Sequence, residues 1–103
     1  MALTRTTQQE EEFAMPLPHG EAFASVLTAY NKIGKVQSSQ EKFGRIGGKI
    51  GSGDWNMNSA DVTVHVSPDG DSQSKVKFIA TAQEGLISQN TGAKAISRLL
   101  DAI

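Results

Sequence analysis

No cysteine occurs anywhere in the 103 residues. That rules out disulfides and thiolate metal sites, and it fits a reducing, cytoplasmic compartment. Aromatic residues are scarce, at 6%, so the core has to be assembled mostly from Val, Ile, Leu and Ala. No stretch approaches the ~18 apolar residues of a membrane span. The opening Met1-Ala2-Leu3-Thr4-Arg5 runs at once into polar residues, without the apolar region of a signal peptide. Neither sign of charge dominates: ten basic residues stand against eleven acidic ones, for a net charge of −1. Such a balance gives no global pull toward nucleic acid or an acidic membrane, and no nucleic-acid partner is expected.

What is present is enough for one modest core. The chain has about one domain's length, and its 38% hydrophobic and 20% charged residues are those of a globular protein. A single domain over 1–103 is expected, with 1–9 either frayed or the start of an edge strand. Charge is unevenly spread. Lys32, Lys35, Lys42, Arg45 and Lys49 are opposed locally by Glu41 alone, while Glu10, Glu11, Glu12 and Glu21 gather near the N-terminus. The plainer reading is two solvated faces; the sharper one is that they attract each other, or a partner, across an interface.

Hydrophobic periodicity divides the chain into elements. Phe13, Met15 and Leu17 alternate with Glu12, Ala14 and Pro16, a period of two that marks a half-buried strand. Pro16 and Pro18 stop it, since each lacks an amide donor. From Glu21 to Ile33 the period becomes helical, with Phe23, Val26, Leu27, Tyr30 and Ile33 on one stripe. Glu21 and Lys32 suit the two ends of the helix dipole, and Gly34 is expected to close the helix in a left-handed conformation. A hairpin should follow: a polar strand from Val36, a turn at Glu41-Lys42-Phe43-Gly44, and a strand bearing Ile46, Gly48 and Ile50. Five glycines between Gly44 and Gly53 predict a strand that bends or lets another group approach closely. Asp54 to Ser59 reads as a connection carrying Trp55 and Met57. Val62, Val64 and Val66 then alternate with Asp61, Thr63 and His65. Pro68-Asp69-Gly70-Asp71 turns the chain, and Val76, Phe78, Ala80 and Ala82 alternate with Lys75, Lys77, Ile79 and Thr81. A last helix over about 90–102 carries Ile96, Leu99, Leu100 and Ile103 on one side, with Asn90 or Thr91 as its cap. The order β-α-β-β-β-β-α predicts an α+β two-layer sandwich: an antiparallel sheet of about five strands with both helices on one face.

Catalytic chemistry is hard to place on these residues. His19 and His65 have no partners at metal-ligand or triad spacing. His65 shares a strand face with Asp61 and Thr63, but each two-residue step spans nearly 7 Å, too far for a hydrogen bond; His19 belongs to the start of a helix. The run Gly44-Arg45-Ile46-Gly47-Gly48-Lys49-Ile50-Gly51 lacks the spacing of a phosphate-binding loop and has Ile where that loop needs Ser or Thr. Asp54 and Asp61 do not make an acid–base pair. Trp55 is either a plug over the end of the core or a binding anchor.

Two segments, Gly48-Lys49-Ile50-Gly51-Ser52-Gly53-Asp54-Trp55-Asn56-Met57-Asn58 and Glu84-Gly85-Leu86-Ile87-Ser88-Gln89-Asn90-Thr91, resemble those of small bacterial α+β domains. Such domains are similar in element order to shortened helix-grip and BamC-type modules, and the resemblance extends from about Phe13 to Ile103. A helix-grip likeness implies an apolar ligand held between sheet and last helix. A BamC-type likeness implies a protein-contact domain, which a small filled core suits better. This chain has about two strands fewer than a helix-grip protein and a short last helix.

The sequence therefore predicts a non-enzymatic binding or protein-interaction module that needs no cofactor and no metal. The edge or glycine-rich strand would meet the partner, with Lys35, Lys42, Arg45 and Lys49 setting orientation. The alternative is a carrier of a small apolar ligand, lined by Phe23, Leu27, Trp55, Phe78, Ile96 and Leu100. A homodimer through an edge strand or the sheet's open face is a further expectation, to which Ile79, on the side opposite Val76 and Phe78, contributes.

Overall fold

A computed structural model describes residues 5–51, 59–84 and 91–103. Its elements are β1 (Arg5–Met15), α1 (His19–Ile33), β2 (Gly34–Gln40), a 3-10 turn (Glu41–Phe43), β3 (Arg45–Gly51), β4 (Ser59–Pro68), β5 (Ser74–Glu84) and α2 (Thr91–Ala102). The five strands form one sheet in the order β1-β5-β4-β3-β2, and every neighbouring pair is antiparallel. This is the α+β arrangement the element order predicts.

The register explains why one face is dry. Residues directly opposite one another in antiparallel strands share a face. Ile46 pairs with Val64, Val64 with Phe78, Val62 with Ala80 and Val66 with Val76, so the alternating apolar residues of three strands fall on the same side. They form one buried cluster with Ala22, Phe23, Val26, Ala29 and Tyr30 of α1 and with Ala95, Ile96 and Leu99 of α2. Both helices therefore cover that face, and the other is left open.

Helix α1 has a long way to go. β1 and β2 are the two edges of the sheet, so the connection between them must cross all five strands. Fifteen residues at 1.5 Å each give about 22 Å, enough for four strand spacings of ~4.8 Å. Its start is fastened by His19, whose Nε2 donates to the Val66 carbonyl at 2.9 Å. Farther along, the Tyr30 hydroxyl donates to the Val62 carbonyl at 2.7 Å. Arg98 of α2 donates from Nη1 to the Gly51 carbonyl, and the buried Ser74 hydroxyl donates to the Leu17 carbonyl at 2.7 Å.

Several local expectations are corrected. Gly34 is not left-handed: its φ of −141° is extended backbone, and it opens β2 directly. Its lack of a side chain serves a close approach instead, because a Cβ there would lie 2.7 Å from the Lys49 carbonyl oxygen. Gly44 is left-handed instead, at φ 64° after the 3-10 turn, as is Gly70, at φ 85°, in the turn between β4 and β5. β1 begins at Arg5 and includes most of the polar start, while Leu17 lies beyond its end and packs on the core. The predicted close approach at the glycine-rich strand occurs at Gly48. The register of β2 slips between Val36 and Ser38, and a Cβ on Gly48 would fall 2.1 Å from the Lys35 carbonyl oxygen.

Candidate interaction surface

The open face can be read in rows across the sheet. One row runs Glu12, Lys77, His65, Arg45, Gln40, and the next Glu10, Ile79, Thr63, Gly47, Ser38; at β3 a third holds Asp61, Lys49 and Lys35. Glu10 and Glu12 thus lie on β1, at one edge, beside Lys77 of β5, while Lys35, Arg45 and Lys49 lie on β2 and β3, beside Asp61 of β4. β3 is an inner strand, so it can meet a partner only through this face. There Arg45 and Lys49 alternate with the glycines 47 and 51, and the Ser38 hydroxyl lies over Gly47, 3.1 Å from where a Cβ would be.

Three of the four predicted contact residues share this face. Lys35 stands directly opposite Lys49, and Arg45 lies on the same face of β3, four residues from Lys49. Two like charges directly opposite in a sheet are destabilising. Asp61 relieves one of them, at 3.1 Å from the Lys49 ammonium. Among the described residues, Lys35 and Arg45 have no ion-pair partner. Lys42 lies apart from the face, on the 3-10 turn, with its ammonium 6.0 Å from the centroid of the Phe43 ring. Phe43 itself is 69% exposed, and nothing in the sequence singled it out.

At the acidic edge, Lys77 donates to Glu10 at 2.8 Å. The hydrogen bond to Glu10 raises the Lys77 pKa above its ordinary value; the Glu10 charge and, more weakly, Glu12 act the same way. His65 has Arg45 and Lys77 as its two cross-strand neighbours. Among the described residues no hydrogen bond joins it to a carboxylate, and no three His, Asp or Glu side chains come close enough to hold a metal ion. None of the described helices is long and apolar enough to cross a membrane.

The residues of the carrier expectation lie on the other side of the sheet. Phe23, Phe78 and Ile96 are fully buried members of the core, and Leu27 and Leu100 are partly buried against it. Trp55 lies outside the described residues, as do 52–58 and 85–90 of the two segments that carry the family resemblance. No protein-family model matches the sequence, and no curated protein matches it.

Proposed function

We propose that the protein is a non-enzymatic interaction module whose open sheet face receives an acidic surface of a partner protein. The carrying observation is the cationic group on β2 and β3. Lys35 is held directly opposite Lys49, Arg45 lies on the same face, and Lys35 and Arg45 lack ion-pair partners among the described residues. Holding like charges together carries a cost in the free protein. An opposing carboxylate surface removes that cost, which favours association and speeds encounter. The likeness in element order to BamC-type contact domains supports the same reading.

The test uses the double charge reversal K35E/R45E. Both side chains are exposed, so the fold should be kept. A partner captured by the wild-type protein from its own cells is purified and titrated against both forms. The reversal is expected to weaken binding at least about tenfold, since rim and surface charge pairs act on encounter and orientation. Added salt should weaken the wild-type complex as well. Equal affinity of the two forms would defeat the proposal, and so would substrate turnover that depends on His65 or Asp61.

A further inference from the structure

The two edges of the sheet are built differently. β2 is seven residues long and its register slips between Val36 and Ser38; bulges of this kind turn an edge away from further pairing. β1 pairs with β5 without a break over eleven residues, from Arg5↔Glu84 to Met15↔Ser74. It contains neither proline nor glycine, and no described strand lies on its outer side. In an antiparallel ladder alternate residues direct their N–H and C=O groups to opposite sides. About half of the backbone groups of β1 are therefore presented as an unused template.

The side chains along that template have definite chemistry. Glu10, Glu11 and Glu12 occupy its middle. Glu10 and Glu12 lie on the open face, while Glu11 lies on the helix face opposite Phe78. Only Glu10 has an ion-pair partner among the described residues. Phe13 follows on the helix face, 37% exposed, with its ring edge-on to Phe78 at 5.7 Å between centroids.

The β1 strand of a second copy is a poor occupant. A two-fold axis pairing β1 with itself at fullest overlap sets Glu10 against its own copy. Slipping the two strands by two residues sets Glu11 against Glu11 and Glu10 against Glu12. Like charges directly opposite are destabilising in either register, and slipping the other way, which sets Gln9 against Gln9, still leaves the two Glu10 side chains as diagonal neighbours within reach of each other. We infer that β1 is the docking edge for an extended, lysine- or arginine-rich segment of another protein, which joins the sheet as a sixth strand. Main-chain hydrogen bonds supply the affinity, and alternating side chains supply the choice. Cations of the added strand flank Glu10 and Glu12 on the open face. On the helix face, its apolar side chains cover Phe13. This surface is separate from the cationic group on β2 and β3 and does not depend on it.

The probe is a nine-residue peptide alternating lysine and valine, with blocked ends, titrated into the full chain while amide hydrogen exchange is followed. Binding should slow exchange of the outward amides of β1 by about tenfold or more and leave β2 unaffected. The same peptide N-methylated at every residue keeps the charge, cannot donate strand hydrogen bonds, is held off the edge by its methyl groups, and should protect nothing. The isosteric variant E10Q/E11Q/E12Q should bind the unmethylated peptide at least about tenfold more weakly, with unchanged exchange in β3 and β4 showing that it folds. Equal binding of the methylated peptide or of a glutamate–valine peptide would overturn the inference. Protection at β2, no binding at all, or dimerisation of the chain itself through β1 would overturn it too.

Discussion

Tyr30 is the only tyrosine in the chain, and its hydroxyl is hydrogen-bonded to the Val62 carbonyl inside the core. Burial, and to a lesser degree the Asp61 charge, pushes its pKa well above the ordinary phenol value. The unfolded chain gives up this proton near pH 10, whereas the native protein keeps it to higher pH. The stabilisation is therefore complete below about pH 10 and is lost as the pH climbs through the native value. Phenolate absorbance of the native protein should accordingly be absent at about pH 10, where the guanidinium-unfolded chain is half ionised. Equal titration curves would show the hydroxyl to be free. Gly48 makes a second test at this scale. Its substitution by Ala forces a Cβ into the Lys35 carbonyl and should cost about 1–3 kcal/mol or more in urea unfolding, as overpacking does. Gly20→Ala, where nothing lies within 4 Å of the new Cβ, should be neutral or stabilising by up to about 1 kcal/mol.

Among the elements, α1 depends on its fastening. Removing the imidazole in His19→Ala leaves the Val66 carbonyl without that donor, at a cost of about 1 kcal/mol. The loss should appear as faster hydrogen exchange in the first turns of α1, with its last turn unaffected; uniform exchange along the helix would contradict this local role. How far each element was legible follows from where its information resides. The stripes of α1 and α2 and the alternation in β4 and β5 are local, and they could be read directly. The first half of β1, Arg5-Thr6-Thr7-Gln8-Gln9-Glu10-Glu11, has no apolar alternation; its extended state comes from β5, far away in sequence. Gly34 after Lys32 has the local pattern of a helix end, but pairing with Ile50 holds it extended. The slip at Gln37 leaves no sign in β2 itself, because its cause is the missing side chain of Gly48 on another strand. The cationic group was visible as charge in the sequence, whereas the opposition of Lys35 and Lys49 required the register.

At the scale of the molecule, both faces of the sheet are committed: one to the helices, the other to charged side chains, with carboxylates at the β1 edge and cations on β2 and β3. Phe23, Phe78 and Ile96 are in the packed interior, so a ligand reaching all of them would have to displace core contacts. Native mass spectrometry of protein purified gently from its own cells should thus give the bare chain mass or that of a complex with another protein. A small-molecule adduct that denaturation removes would instead establish the carrier reading and direct attention to the helix side of the sheet.

The pairing of β1 with β5 also bears on synthesis. Its paired residues are 59 positions apart at Met15↔Ser74 and 79 apart at Arg5↔Glu84. On the ribosome, β1 therefore emerges well before its strand partner exists, while β2, β3, β4 and β5 can pair in succession. Until β5 appears, the earlier-made strand has to wait without a ladder. Nascent chains on one messenger carry identical copies of that strand, which are natural candidates for wrongful pairing. The glutamates at its middle make those copies repel one another, as gatekeeper charges do, and keep the strand available for the partner that closes the sheet.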